Sequence, residues 1–367
     1  MTRTASFSPD LRRFVILFEP EAACRERLAA RGVPEEVASE IACYLAQATD
    51  LAALIEPIRR AFAAIGVEVV AYPLDAHPVW LPLFTDPERQ HTLLWCLTDG
   101  FAYYRGSFVS AVAGLLDVPQ FGSPPAAQHL CQDKFRCFAL AKALGIDTPP
   151  TVLVENGVPL SPPEALPEGA PLFVKPNTLG AKLGIGNDSR AADLAEALEL
   201  TRRIHARYGD RALVQSYIPG RDVRVSFMDL GGPRAPLGIY AVDTGSTRGF
   251  PTLADSLRMT TMREAGTKEG LSLRVEDLRR DPALAPSIAK LEAAARRLAD
   301  AAGLRDYFSF DFRLDEDGRP WFLELEVCPA VTIYDFLTYL RDAHGTDLPG
   351  ALVRAAPSAF ARRARGG

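Results

Sequence analysis

The sequence has 367 residues, 48% of them hydrophobic and 24% charged, which excludes disordered, collagen-like and disulfide-rich classes and allows two or three domains. Its formal net charge of −5 is opposite in sign to that expected of a protein that wraps nucleic acid or coats an anionic membrane. No apolar run reaches the about 18 residues that a membrane span needs. The first apolar run is too short for a signal peptide, and the six cysteines lack metal-binding or redox spacing. We therefore expect a reduced, cytoplasmic protein with neither nucleic acid nor membrane as a partner.

The N-terminal third predicts alternating strands and helices. Apolar runs predict strands at 12–18, 67–74 and 91–100. Helical periodicity extends from about 21 to 65, and another helix is predicted at 109–116. Strand, helix and strand in this order predict a parallel α/β layer.

The remainder of the chain mixes shorter elements with long connections. Its periodicity predicts a hairpin at 306–327, helices at 128–144, 190–208 and 284–302, and strands at 171–177, 212–218 and 222–230. Few apolar runs occur over 243–285, and a stretch of that length inside a compact protein predicts a functional loop or lid.

Alternation in the hairpin places acidic side chains on one face. Asp311 points away from the phenylalanines of the first strand, and Phe322, Glu324 and Glu326 share one face of the second. If the apolar faces coincide, the three carboxylates converge, and they repel one another unless a cation or shared protons neutralise them. Such oxygen ligands suit Mg²⁺ or Mn²⁺ bound to substrate phosphates. The alternative is a hairpin whose polar face is merely solvated.

Two lysines and a glycine-rich loop are candidates to bind phosphate. Lys175 ends an apolar strand, and the loop at 177–186 follows it. Glycines let backbone N–H groups approach phosphate oxygens, and a lysine adds positive charge. The loop has neither a Walker A motif nor G-x-G-x-x-G, so a plain turn remains open. Lys134 opens a predicted helix and could equally be a solvated side chain.

The order of these motifs along the chain resembles the ATP-grasp superfamily, and within it the D-alanine–D-alanine ligase-like branch. Lys134, FVKP with the glycine loop, LVQSYIPGRDVRV, FDFRLDEDG and LELEVCP follow one another at suitable spacing. The resemblance implies an α/β fold with a Rossmann-like parallel N-terminal layer and two α+β subdomains that clasp ATP. It implies domain boundaries at 1–128, 129–216 and 217–367.

The resemblance also implies roles for individual residues. Lys134 and Lys175 match the two lysines placed near the adenine and phosphates of the nucleotide. The loop that covers the phosphates includes Gly180, Ala181 and Lys182. The adenine and ribose contacts match Gln215, Ser216, Tyr217, Ile218 and Asp222. The metal carboxylates match Asp311 and Glu324, with Glu326 at a third ligand position where the cell-wall enzymes have asparagine.

The implied activity is an ATP-dependent ligase that joins a carboxylate to an amine through an acyl phosphate. The substrates would be small and amino-acid-like, in specialised metabolism, and the resemblance is compatible with a homodimer. Phosphoryl transfer needs positioning and charge neutralisation more than covalent groups of the protein. The catalytic candidates are Arg105, Arg224 and Lys268, the last within a lid at 245–270. The alternatives are a kinase of the same fold and a nucleotide-binding protein without chemistry.

The chain departs from the cell-wall ligases in the pockets for the two substrates. Ser309 stands where those enzymes have an arginine that stabilises the oxyanion, and Ala330 replaces a glycine. Ala181 and Lys182 replace a pair of serines. We therefore expect the acid and amine to differ from D-alanine, with Arg105 or Arg224 binding a new carboxylate. A true D-alanine–D-alanine ligase remains the alternative.

Overall fold

The computed structural model describes three β-sheets with helices packed on them. The described residues are 10–97, 106–163, 166–180, 182–230, 236–243, 249–252, 274–331, 336, 340–341 and 344–362. Within them, no helix is both long and apolar enough to cross a membrane.

The first sheet is parallel, as the strand–helix–strand order predicts. Its strand order is β2-β1-β3-β4, and the strands are β1 (Arg13–Phe18), β2 (Glu68–Pro73), β3 (Thr92–Leu97) and β4 (Gln120–Phe121). The helices of this region are α1 (Glu21–Ala29), α2 (Glu35–Thr49), α3 (Ala52–Ala63), α4 (His77–Trp80) and α5 (Gly106–Leu115). The predicted helix over 21–65 is therefore three helices, since Gly32 adopts a φ of +82° and Pro34 precedes α2.

The second sheet is antiparallel, with the order β6-β5-β9-β7-β8. Its strands are β5 (Thr151–Glu155), β6 (Val158–Pro159), β7 (Leu172–Pro176), β8 (Arg190–Ala191) and β9 (Ala212–Ser216). The accompanying helices are α6 (Pro125–Cys131), α7 (Lys134–Ala143) and α8 (Leu194–Tyr208). The predicted helix over 128–144 is interrupted at Asp133, whose carboxylate accepts a hydrogen bond from the Arg136 amide and caps α7.

The third sheet is also antiparallel, with the order β12-β11-β10-β13-β14. Its strands are β10 (Arg221–Met228), β11 (Pro236–Asp243), β12 (Arg274–Asp277), β13 (Tyr307–Leu314) and β14 (Pro320–Glu326). Two helices complete the described fold, α9 (Ala285–Ala302) and α10 (Leu348–Ala361). The sequence patterns did not predict β11.

A β-bulge in β14 changes the predicted faces of the hairpin. Asp311 pairs with Glu324 and Phe312 pairs with Phe322, so Leu323 has no partner on β13. The extra residue turns Phe322 onto the phenylalanine face, where it is fully buried and packs against Phe312. The prediction that Phe322 shares a face with the glutamates was therefore wrong, whereas Asp311 and Glu324 do lie opposite each other.

Side chains from different predicted domains pack together in shared apolar cores. The domain boundaries expected from sequence therefore stay a prediction. Helices α1 and α2 share an apolar core with the second sheet, whereas α10 packs on the first. Asp306, completely buried, accepts hydrogen bonds from the Gly122 amide (2.6 Å) and Arg362 (2.5 Å). Burial raises the pKa of Asp306 above its ordinary value, and the Arg362 guanidinium opposes that shift. This carboxylate thus joins the first sheet, β13 and the end of α10.

Candidate active site

Lys134 joins three parts of the chain at the start of α7. Its Nζ donates a hydrogen bond to the Leu179 carbonyl (2.6 Å) and forms an ion pair with Glu324 Oε1 at 2.9 Å. The side chain is only 5% exposed, which rules out the alternative of a solvated lysine. Helix α7, the glycine loop and the carboxylate hairpin therefore meet at one ammonium group.

Lys175 lies beside it at the end of β7. Its Nζ donates to the carbonyl of Leu323, the bulged residue of β14, at 3.2 Å and lies 5.4 Å from the centre of the Phe138 ring. Burial lowers the pKa of Lys175 to about 8, although the nearby Glu324 carboxylate acts in the opposite direction. A buried ammonium group whose charge is only partly compensated by nearby carboxylates is suited to bind an anion.

The glycine loop is anchored to the protein at both ends. Asn177 accepts a hydrogen bond from the Phe135 amide at 3.0 Å, and Leu179 and Leu183 are buried in the core of the second sheet. Gly184 adopts a φ of +73°, where a Cβ would lie 2.6 Å from the ring of Pro176. The anchoring differs from that of a plain exposed hairpin turn and holds Lys182 near the carboxylates, where its charge acts on Asp311.

The strand β9 leads into an aromatic cluster. The Gln215 side chain donates to Thr151 Oγ1 at 2.8 Å, and the Ser216 hydroxyl is buried with no hydrogen-bond partner among the described residues. The Tyr217 ring contacts the rings of Phe173 and Phe250. An unpaired buried hydroxyl is a group to which a polar ligand could supply the missing hydrogen bond.

Arg313 is a residue of this region to which the sequence patterns assigned no role. Its guanidinium, buried within the protein, donates to Asp222 Oδ1 (2.5 Å), the Ile218 carbonyl (3.0 Å) and the Tyr217 hydroxyl (3.3 Å). It also bonds to the Gly249 carbonyl. Alternation in β13 places Arg313 on the same face as Asp311, and this was the only sequence signal for a role of Arg313 in the site. The partners of Arg313 could not be predicted, because they depend on strand pairing.

The carboxylates of the hairpin lie beside Arg224 of β10. Asp311 is opposite Arg224 on one side and Glu324 on the other. Arg224 donates through Nη1 to Asp311 Oδ1 (3.2 Å) and through Nη2 to Glu326. Burial raises the pKa of Asp311 to about 7, with Arg224 lowering it and the two glutamates raising it. Burial also acts to raise the pKa of Glu326, but Arg224 and the Ser309 hydroxyl hold it below its ordinary value.

Comparison with known proteins identifies the fold. No family model matches the chain. A D-alanine–D-alanine ligase from a Synechococcus strain is 29% identical over 280 residues, which cover 75% of this chain and 77% of that protein. The structure of the Bacillus anthracis D-alanine–D-alanine ligase complexed with ATP has a TM-score of 0.63 at 18% identity, covering 97% of this chain and 100% of that one. The VanG D-Ala:D-Ser ligase of Enterococcus faecalis has a TM-score of 0.61 at 14% identity, covering 95% of this chain and 99% of that one.

The chain has the ATP-grasp fold. Its sequence relatives are D-alanine–D-alanine ligases, and the chain is an ATP-dependent ligase that forms a C–N bond. ATP-grasp ligases of this kind act on small molecules and use ATP with a divalent cation. Here Lys134 of α7 and Glu324 of the third sheet form an ion pair.

Two carboxylates of this ATP-grasp protein fit a divalent cation. Across the residues that the structure describes, no three acidic, histidine or cysteine side chains are arranged to hold a metal ion. Asp311 and Glu324 are nevertheless direct neighbours across the β13–β14 pair. Protein carboxylates commonly supply one or two ligands to Mg²⁺ while substrate phosphates supply others. The pair therefore fits a cation that arrives with ATP, and a site with three carboxylates stays a prediction.

Several predicted residues lie outside the described part of the ATP-grasp fold. They are Arg105, Ala181 and Lys268, together with most of the predicted lid at 245–270. Of that lid, residues 249–252 are described, and the Gly249 carbonyl accepts a hydrogen bond from the Tyr217 hydroxyl at 3.1 Å. The lid itself stays a prediction.

We expect replacement of Lys175 by Ala to weaken ATP binding by about 10–150-fold, because one charge-assisted hydrogen bond worth about 1.5–3 kcal/mol is lost. Because the pKa of Lys175 is about 8, ATP affinity of the unmodified protein should also fall as the pH rises from 7 to 9. Calorimetric titration with ATP at both pH values measures the two effects. The Lys175→Arg variant, which stays charged, is the control and should lose the pH dependence. Unchanged affinity of Lys175→Ala at both pH values would place the nucleotide elsewhere.

Proposed function

We propose that this protein joins the carboxylate of one small, amino-acid-like molecule to the amine of another while ATP is converted to ADP and phosphate. The observation that carries the proposal is that two buried lysines meet β14 beside the carboxylates: Lys134 pairs with Glu324, and Lys175 donates to the neighbouring Leu323 carbonyl. This arrangement supplies positive charge for phosphates and oxygen ligands for a cation in one place. Cys328, the cysteine nearest the carboxylates in sequence, contacts the Tyr307 hydroxyl in the apolar core and is not needed as a nucleophile.

The nucleotide would lie between the second and third sheets. Its adenine would contact the segment from Gln215 to Ile218, where the buried Ser216 hydroxyl could gain a partner. Asp222 would contact the ribose, and Arg313 fixes the position of that carboxylate. Gly180, Ala181 and Lys182 would cover the phosphates.

The proposed reaction has two steps. A carboxylate oxygen of the acid attacks the γ-phosphorus, the bond from that phosphorus to ADP breaks, and an acyl phosphate forms. The amine nitrogen then attacks the acyl carbon, loses a proton and displaces phosphate. Lys134 and Lys175 would neutralise phosphate charge during the first step. A divalent cation, Mg²⁺ or Mn²⁺, would be held by Asp311 and Glu324 and would add further charge neutralisation.

The proposal is tested by supplying amino acids and related acids in pairs with ATP and Mg²⁺. A ligase should release free phosphate in equal amount to an amide product detected by mass spectrometry. ADP formation with a stable phosphoester and no free phosphate would instead identify a kinase. No nucleotide turnover with any pair, together with tight ATP binding, would contradict ligase chemistry.

We expect D-alanine as the sole amino acid to release little phosphate. Ser309 is neutral, completely buried and hydrogen-bonded to Glu326, so the substrate side of the site differs from that of the cell-wall ligases. Phosphate release with D-alanine alone is compared with release by the best pair of the panel. Rapid formation of D-alanyl-D-alanine would show that the substrate has not changed.

A homodimer and a cytoplasmic location also belong to the proposal. Analytical ultracentrifugation of the purified protein tests the first, and subcellular fractionation tests the second.

A further inference from the structure

Glu326 was predicted to be a metal ligand, but its contacts in the site indicate another role. Its Oε2 accepts a hydrogen bond from Ser309 Oγ at 3.0 Å and a second from Arg224 Nη2. A carboxylate oxygen with two such donors has its principal lone-pair directions occupied. To coordinate a cation through this oxygen, Glu326 would have to release both donors.

Strand register builds this arrangement from three adjacent strands. Arg224 of β10 lies opposite Asp311 of β13, and Ser309 of β13 lies opposite Glu326 of β14. Ser309 is completely buried and Arg224 is 8% exposed, whereas the Glu326 side chain is 31% exposed, so the two donors reach the carboxylate from the protein side. The planar guanidinium reaches Asp311 with one nitrogen and Glu326 with the other.

The charges divide into two groups. The negative charge of Glu326 is compensated by its ion pair with Arg224. Asp311 shares the same guanidinium and lies opposite Glu324, which forms an ion pair with Lys134 through Oε1. Because a buried arginine is costly without carboxylate partners, Glu326 and Asp311 together compensate the charge of Arg224 in this position.

We propose that Glu326 is a positioning residue that holds Arg224 in the site, and that the cation is held by Asp311 and Glu324 without it. Arg224 then presents a fixed guanidinium beside the cation pair, where the carboxylate of the acid substrate must lie to reach the γ-phosphate. Guanidinium groups bind carboxylates with high geometric specificity. This inference rests on the proposed function and assigns the recognition of the acid to Arg224.

The test measures metal binding without turnover. Mn²⁺ binding is followed by electron paramagnetic resonance in the presence of a non-hydrolysable ATP analogue, for the unmodified protein, Glu324→Gln and Glu326→Gln. We expect Glu324→Gln to weaken Mn²⁺ binding by at least about tenfold and Glu326→Gln to leave it unchanged. Equal weakening by both substitutions would overturn the inference, because Glu326 would then be a ligand. Failure of the unmodified protein to bind the analogue would instead count against the proposed function.

Kinetics with the best substrate pair provide the second measurement. Glu326→Gln and Arg224→Lys should each lower kcat/KM for the acid by about 10–100-fold with the KM for ATP unchanged, and the double variant should be no worse than either alone. Ser309→Ala removes one hydrogen-bond donor to Glu326 and should lower kcat/KM for the acid by a smaller factor. This variant replaces Glu326→Gln in the test if Glu326→Gln does not fold. Unchanged kcat/KM for the acid in Glu326→Gln or, failing that, in Ser309→Ala would also overturn the inference.

Discussion

Replacement of Asp311 by Asn, or of Glu324 by Gln, should lower turnover by about 10²–10³-fold, equivalent to about 2.7–4 kcal/mol of transition-state stabilisation. The two carboxylates face each other across β13 and β14, and loss of either removes a cation ligand and its negative charge. Both substitutions preserve side-chain size, so the fold should remain intact. Phosphate release at low Mg²⁺ concentration with the best substrate pair measures the effect.

Glu316→Gln is the matched control for this prediction, because Glu316 is an exposed carboxylate in the turn of the same hairpin. It should retain full turnover. Near-normal turnover by both Asp311→Asn and Glu324→Gln at low Mg²⁺ would contradict the assignment of the cation to this pair.

Replacement of Arg362 by Ala should lower the free energy of unfolding by about 3 kcal/mol, the lower end of the range for breaking a buried ion pair. Asp306 is completely buried at the junction of β13, the first sheet and α10, and Arg362 forms an ion pair with it at 2.5 Å. Without Arg362, only the hydrogen bond from the Gly122 amide is left to stabilise the buried charge of the Asp306 carboxylate. Urea denaturation followed by circular dichroism measures the change.

The double variant Asp306→Asn with Arg362→Ala separates charge from lost packing. Asn tolerates the left-handed backbone of residue 306, where φ is +61°, and it carries no charge. The double variant should therefore recover much of the lost stability. Arg12→Ala, which breaks an exposed pair with Glu88, should cost less than about 1 kcal/mol. A loss no larger for Arg362→Ala than for Arg12→Ala would refute the structural role of the pair.

Local patterns predicted much of the secondary structure but not the contacts within the site. The two-residue period of a strand was sufficient to place Asp311 on the polar face of β13. It could not predict the bulge at Leu323, which arises from pairing between strands and provides the carbonyl that Lys175 contacts. A one-residue bulge reverses the faces beyond it, and this is why Phe322 was assigned to the wrong side.

The role of Arg224 shows the same limit. Sequence patterns could place it on a strand, but its neighbours Asp311 and Glu326 lie 87 and 102 residues away along the chain. The order of strands is a property of the whole sheet, and it cannot be predicted from the alternation of residues within one strand. The order of motifs carried the family resemblance, because it depends on the whole chain rather than on one segment.

The most direct test of the acyl-phosphate mechanism follows an oxygen atom. The acid of the best substrate pair is labelled with ¹⁸O in its carboxylate, and the phosphate released with ATP and Mg²⁺ is analysed by mass spectrometry. Because the carboxylate oxygen that attacks the γ-phosphorus leaves with the phosphate, each turnover should transfer one labelled oxygen to it. Released phosphate that contains no ¹⁸O would contradict the acyl-phosphate mechanism.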